Sequence, residues 1–112
     1  MDIKSGDWKG EKHVPAIEVL EKKDGMMTVE VSVGKEIAHP NTPEHHIAWI
    51  ELYLKPEGGD FPIMVGRADF SSHAGPITEP KAVFSFKCEK GGELIAISYC
   101  NIHGLWEGKA TI

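Results

Sequence analysis

Residues 46–54 alternate more cleanly than any other part of the chain, and that alternation limits the fold most. Ala48, Ile50, Leu52 and Leu54 fall on one face of an extended segment, with Ile47, Trp49, Glu51 and Tyr53 on the other. A side-chain period of two belongs to a strand, and a strand with one apolar face must lay that face on a second layer. Shorter alternations flank this one. Residues 16–21 and 26–33 lie on either side of Lys22-Lys23-Asp24-Gly25, whose Asp-Gly pair favours a tight hairpin turn. Past the turn Pro56-Glu57-Gly58-Gly59-Asp60 come residues 61–70, then 82–88 with Ala82, Phe84, Phe86 and Cys88 inward, then 94–99 and 105–112. Pro40 and Pro43 bar a helix from residues 34–44, and residues 71–80 form a polar loop with two more prolines. About seven short strands, frequent turns and no helical period predict an all-β fold, an antiparallel β-sandwich of two sheets.

A chain of 112 residues is expected to form one domain, residues 1–112, able to bury a core without staples. Its first residues hold no apolar core or cleavage site, and no apolar run nears the ~18 residues of a membrane span, so a cytoplasmic protein is expected. A net charge of −5 with no basic stripe argues against nucleic acid as a partner. If residues 82–88 and 93–100 pair as a hairpin around Gly91-Gly92, Cys88 faces Ile95 and Cys100 faces Val83, roughly 17 Å apart along the ladder. A disulfide needs Cα atoms within about 7 Å. Two free thiols in a reducing compartment follow from that separation.

The chemistry gathers around Cys100-Asn101-Ile102-His103-Gly104. A cysteine and a histidine three residues apart put a thiolate and an imidazole on one turn, which is a metal-ligand spacing. Glu11-Lys12-His13-Val14-Pro15 and His39-Pro40-Asn41-Thr42-Pro43-Glu44-His45-His46 add imidazoles in Pro-bounded segments that no strand or helix period explains. The candidate ligands are therefore His13, His39, one of His45 and His46, His103 and Cys100. Opposite faces of a strand would keep His45 and His46 from sharing one ion, but spacing does not choose between them. Structural zinc is four-coordinate and favours paired cysteines. Five donors rich in imidazole suit iron with one position left open. A ferrous ion among four neutral imidazoles and a thiolate carries about +1, so a small anion is the natural visitor. His73 is assigned no role, Cys88 is read as a small packed hydrophobe, and Trp8, Trp49 and Trp106 as core or interface residues.

The three motifs, in this order and with His45 six residues after His39, resemble the one-iron superoxide reductases, also called neelaredoxins. The resemblance implies an immunoglobulin-like β-sandwich that holds a mononuclear non-haem iron with equatorial His13, His39, His45 and His103 and axial Cys100. It thereby selects the first histidine of the doublet. It implies binding through Nδ1 of His103 and Nε2 of the others. The N–H groups of Ile102 and His103 are expected to bond to the Cys100 sulfur and moderate its donation. Glu11 and Lys12 would flank the open position, Glu11 able to close it on ferric iron and Lys12 offering positive charge to superoxide. The implied reaction is the one-electron reduction of superoxide to hydrogen peroxide, fed by a donor such as rubredoxin, in a homo-oligomer that by family analogy is a tetramer. The four-cysteine domain of the two-iron desulfoferrodoxins has no counterpart in this sequence, which resembles the shorter class.

A blue-copper electron-transfer protein of the cupredoxin kind is the alternative, since an early histidine and a late Cys-x-x-His also write that site. No methionine follows His103 to serve as a weak axial ligand, and two histidines are left over. A sandwich binding module with incidental histidines needs three coincidences at once.

Overall fold

The computed structural model describes residues 3–6, 13–35, 37–72 and 76–112. Seven strands follow along the chain: β1 (Ala16–Lys23), β2 (Met26–Ser32), β3 (Ile47–Pro56), β4 (Ile63–Asp69), β5 (Lys81–Lys87), β6 (Gly92–Cys100) and β7 (Gly104–Thr111). They form two antiparallel sheets, ordered β1-β2-β5 and β4-β3-β6-β7. This is the two-sheet antiparallel sandwich that the period-two patterns predict and the immunoglobulin-like form that the resemblance implies, and no helix occurs among the described residues.

Alternation fills the space between the sheets. Met27, Val29 and Val31 of β2 meet Ile50 and Leu52 of β3 and Leu94 and Ala96 of β6, all buried, and Phe84 and Phe86 of β5 pack against them. Each larger side chain contributes about 1.5–3 kcal/mol on leaving water. That core supports the end of the sandwich where β6 turns into β7.

Two sequence expectations are corrected. Residues 82–88 and 93–100 do not form a hairpin: β5 pairs with β2, Phe84 opposite Val29, while β6 lies between β3 and β7. An inward apolar face reads the same on a neighbour in one sheet as on a strand facing it across the core, and here the second arrangement holds. Gly92 exchanges backbone bonds with Ile112 instead (3.0 and 2.9 Å). Both thiols are free as expected, but for another reason, because Cys88 follows β5 in one sheet and Cys100 ends β6 in the other.

The second correction concerns the strand that is clearest in sequence. β3 begins at Ile47 and carries a bulge, since Ile47 opposes Cys100 while Trp49 opposes Tyr99. The extra residue, Ala48, turns the alternation over. Ile47 consequently joins the buried core rather than the face of Trp49. The bulge sits where β3 leaves the segment bearing His39 and His45, directly across from the Cys100 turn.

Candidate metal centre

Three segments converge at this end of the sandwich. Near the amino terminus Lys4 bridges Trp106 of β7 in parallel, and the Lys4 carbonyl accepts from the Glu107 N–H at 2.8 Å. Further along, the His13 carbonyl accepts from Ser98 Oγ at 3.0 Å. Its ring lies flat on the Trp106 indole, centroids 4.5 Å apart and planes 14° apart. His13 is fully buried.

The second segment leaves β2 through Gly34, whose φ is +82°. A Cβ at that position would stand 2.6 Å from the His39 nitrogen, so only glycine lets the loop close and bring His39 in. The Nδ1–H of His39 donates to the Pro40 carbonyl at 2.7 Å. A carbonyl can only accept, so the bond fixes the tautomer, with Nδ1 carrying the proton and Nε2 the acceptor. Thr42-Pro43-Glu44-His45 is a tight turn with proline at its second place, closed by His45 N–H to the Thr42 carbonyl (3.1 Å) and Thr42 N–H to the His45 carbonyl (2.9 Å).

The third segment is the β6–β7 turn, with Cys100 opposite Gly104. Cys100 is fully buried, and its sulfur accepts the N–H of His103 at 3.4 Å. The Ile102 N–H makes no such bond. Asn101 straps this turn to the second segment, its Nδ2 donating to the Glu44 carbonyl (3.0 Å) and its Oδ1 accepting the His46 N–H (2.8 Å).

The imidazoles meet edge to face around a square. Centroid distances run 4.7 Å from His13 to His39, 4.7 Å from His39 to His45, 5.0 Å from His45 to His103 and 4.9 Å from His103 to His13, with planes crossed by 73° to 86°. The His13–His45 diagonal is 6.5 Å, close to the proportion of a square. The Cys100 sulfur lies 3.7 Å from His39 Nε2 and 4.0 Å from His103 Nδ1. Ligand atoms of His13, His45, Cys100 and His103 all fall within 4.8 Å of one another. Burial is complete at Cys100 and partial at His45 and His103, so the sulfur lies on the inner side.

The donor set suits a metal ion. His45 Nε2 is buried with no hydrogen-bond partner among the described residues, a costly arrangement unless something else engages it. His13 Nε2 and His103 Nδ1 stand 3.0 Å apart. Two nitrogens bonded at right angles to one ion at ~2.1 Å would be separated by about that distance.

Of the residues expected from sequence, His13, His39, His45, His103 and Cys100 come together here, while Glu11, Lys12 and His73 lie outside the described residues. The doublet departs from the extended pair considered above. His45 and His46 precede β3, and His46 is held away by Nδ1–H to the Thr42 carbonyl (2.9 Å). Trp106, Ser98, Asn101 and Gly34 make contacts beside the donors that sequence reading did not give them. Ser98 had a usable signal, a polar residue on the inward face shared by Leu94, Ala96 and Cys100.

The desulfoferrodoxin family model matches residues 5–109. The chain is 67% identical to the superoxide reductase of Pyrococcus horikoshii and 69% identical to that of Pyrococcus abyssi, in each case over 98% of this chain and 95% of the relative. Among solved structures, it superposes on the superoxide reductase (neelaredoxin) from Archaeoglobus fulgidus in the reduced form with a TM-score of 0.91 and 59% identity, covering 98% of this chain and 97% of that one.

Proposed function

This chain belongs to the desulfoferrodoxin family, and we propose on that premise that it is a superoxide reductase whose mononuclear iron would be held by His13, His39, His45, His103 and Cys100. The observation that carries the ligand assignment is the square of four imidazoles beside one buried sulfur, with no partner for His45 Nε2 among the described residues. Iron in this site supplies a one-electron couple and an open position for a small anion.

The rest is work for the chain's own groups. Cys100 offers a soft anionic donor on the inner side, and the His103 N–H tempers its charge. The Pro40 carbonyl keeps His39 Nε2 as an acceptor of metal rather than of a proton. Lys12 is proposed to attract superoxide and Glu11 to close the oxidised site, both adjoining His13 in sequence. Each turnover takes one superoxide, one electron and two protons to one hydrogen peroxide. A one-electron donor is therefore obligatory, and rubredoxin is proposed.

The proposal extends to residues 1–112 as one iron-binding domain, a homotetramer, acting in the cytoplasm. Two free thiols support a reducing compartment, and no helix among the described residues is long and apolar enough to cross a membrane. A blue-copper reading would leave two of the four clustered imidazoles without work.

Peroxide yield tests the activity. A reductase returns one hydrogen peroxide per superoxide and oxidises one equivalent of donor, whereas a dismutase returns half as much peroxide and consumes no donor. The second result would refute the assignment.

A further inference from the structure

We propose that Trp106 is a positioning residue for the iron centre, fixing the ring plane of His13 against that of His103. The inference rests on the ligand set proposed above. His13 and His103 stand 90 residues apart in sequence, yet their nitrogens lie 3.0 Å apart. One side chain touches both. The Trp106 indole stacks on the His13 ring at 4.5 Å and 14°, and its Nε1–H donates to the His103 carbonyl at 3.2 Å.

A nitrogen lone pair lies in the plane of its imidazole, so the plane decides where the donor points. Rotation of the His13 ring about its own bond would carry Nε2 away from the other donors. The indole face blocks that rotation on one side. Trp106 itself has little room to tilt, being 1% exposed, paired with Ser98 in the β6–β7 ladder and bridged by Lys4. Ser98 in turn holds the His13 carbonyl. The same β7 residue thus meets the bridge from Lys4 and sets the angle of the His13 ring. A ring bonded to a cation also gains positive character, which the negative face of indole favours, and more strongly for ferric than for ferrous iron.

The test compares Trp106→Leu, Trp106→Phe and His13→Ala by competition with a chelator for ferrous iron, by EPR of the ferric form and by the reduction potential, all well below each melting temperature. Trp106→Leu is expected to weaken iron binding roughly tenfold to a hundredfold, to alter the EPR signal and to raise the potential. Trp106→Phe keeps an aromatic face while giving up the N–H and the second ring, so it should stay within about threefold of wild type, the conservative rescue expected of a stacking role. NMR of the metal-free wild-type protein supplies a readout independent of any variant: His13 ring protons should be shifted upfield and show contacts to indole protons. Absence of those contacts overturns the proposal. So does a folded Trp106→Leu protein with wild-type affinity and spectrum, or a Trp106→Phe protein as impaired as Trp106→Leu. Should His13→Ala also bind iron as wild type does, the ligand assignment itself fails, and the two failures are thereby told apart.

Discussion

Replacing Gly34 with alanine should unseat His39 without touching any donor. Gly34 has φ +82°, and an added Cβ would sit 2.6 Å from the His39 nitrogen, 3.1 Å from the Ile37 oxygen and 3.2 Å from the Ala38 Cα. The left-handed conformation alone costs a non-glycine residue about 1–2 kcal/mol. Contact with three backbone atoms, none of which can swing aside as a side chain would, adds about 1–2 kcal/mol. A total of about 2–4 kcal/mol lowers the melting temperature of a domain this size by about 10–25 °C. Gly58 provides the control, because it has φ +78° but nothing within 4 Å of an added Cβ. Gly58→Ala should incur only the conformational cost, a drop of about 5–12 °C. The assay is thermal melting of both metal-free variants by circular dichroism, followed by chelator competition for iron. Gly34→Ala should bind iron at least roughly tenfold more weakly, while Gly58→Ala binds it as wild type does. Equal melting temperatures with unchanged iron affinity in both would refute the claim that Gly34 sets the place of His39.

Cys100→Ser should abolish the thiolate-to-metal charge-transfer absorption and superoxide reduction, whereas Cys88→Ser, whose sulfur bonds to the Lys90 carbonyl outside the cluster, should keep both. His45→Ala should lose most of the bound iron, and His46→Ala should retain it with at most about 1 kcal/mol of stability lost with its bond to Thr42, as iron content and a melting curve would show. Lys12→Ala should slow superoxide capture and flatten its dependence on ionic strength at unchanged iron content, measured by pulse radiolysis across a salt series. In the same experiment Glu11→Ala should leave capture fast and open the oxidised site to added azide.

Legibility in the sequence followed the range of each physical signal. Period-two patterning is local and strong, so the strands and the sandwich could be read from residues alone, and β5 points inward the Phe84 and Phe86 that its alternation assigns. Pairing between strands is not local. Nothing in residues 82–100 separates a hairpin from two strands facing across a core, and the Gly91-Gly92 pair misled because it leaves room for backbone contact with Ile112. The bulge at Ala48 was invisible for a similar reason, as one extra residue changes no composition yet reverses the face of Ile47. The gathering of donors at one end was legible because few residue types ligate metals and their spacing on turns is short. The supports of the centre were not, since an indole 93 residues from His13 in sequence, or a glycine whose missing Cβ admits a backbone nitrogen, declares its partner only in three dimensions.

The most direct test is metal analysis of the purified protein joined to EPR after oxidation. One iron per chain with a high-spin ferric signal, lost together with the visible charge-transfer band in Cys100→Ser, is the predicted result. Copper at one equivalent with a cupric signal, or iron whose spectrum is indifferent to Cys100, would contradict the account.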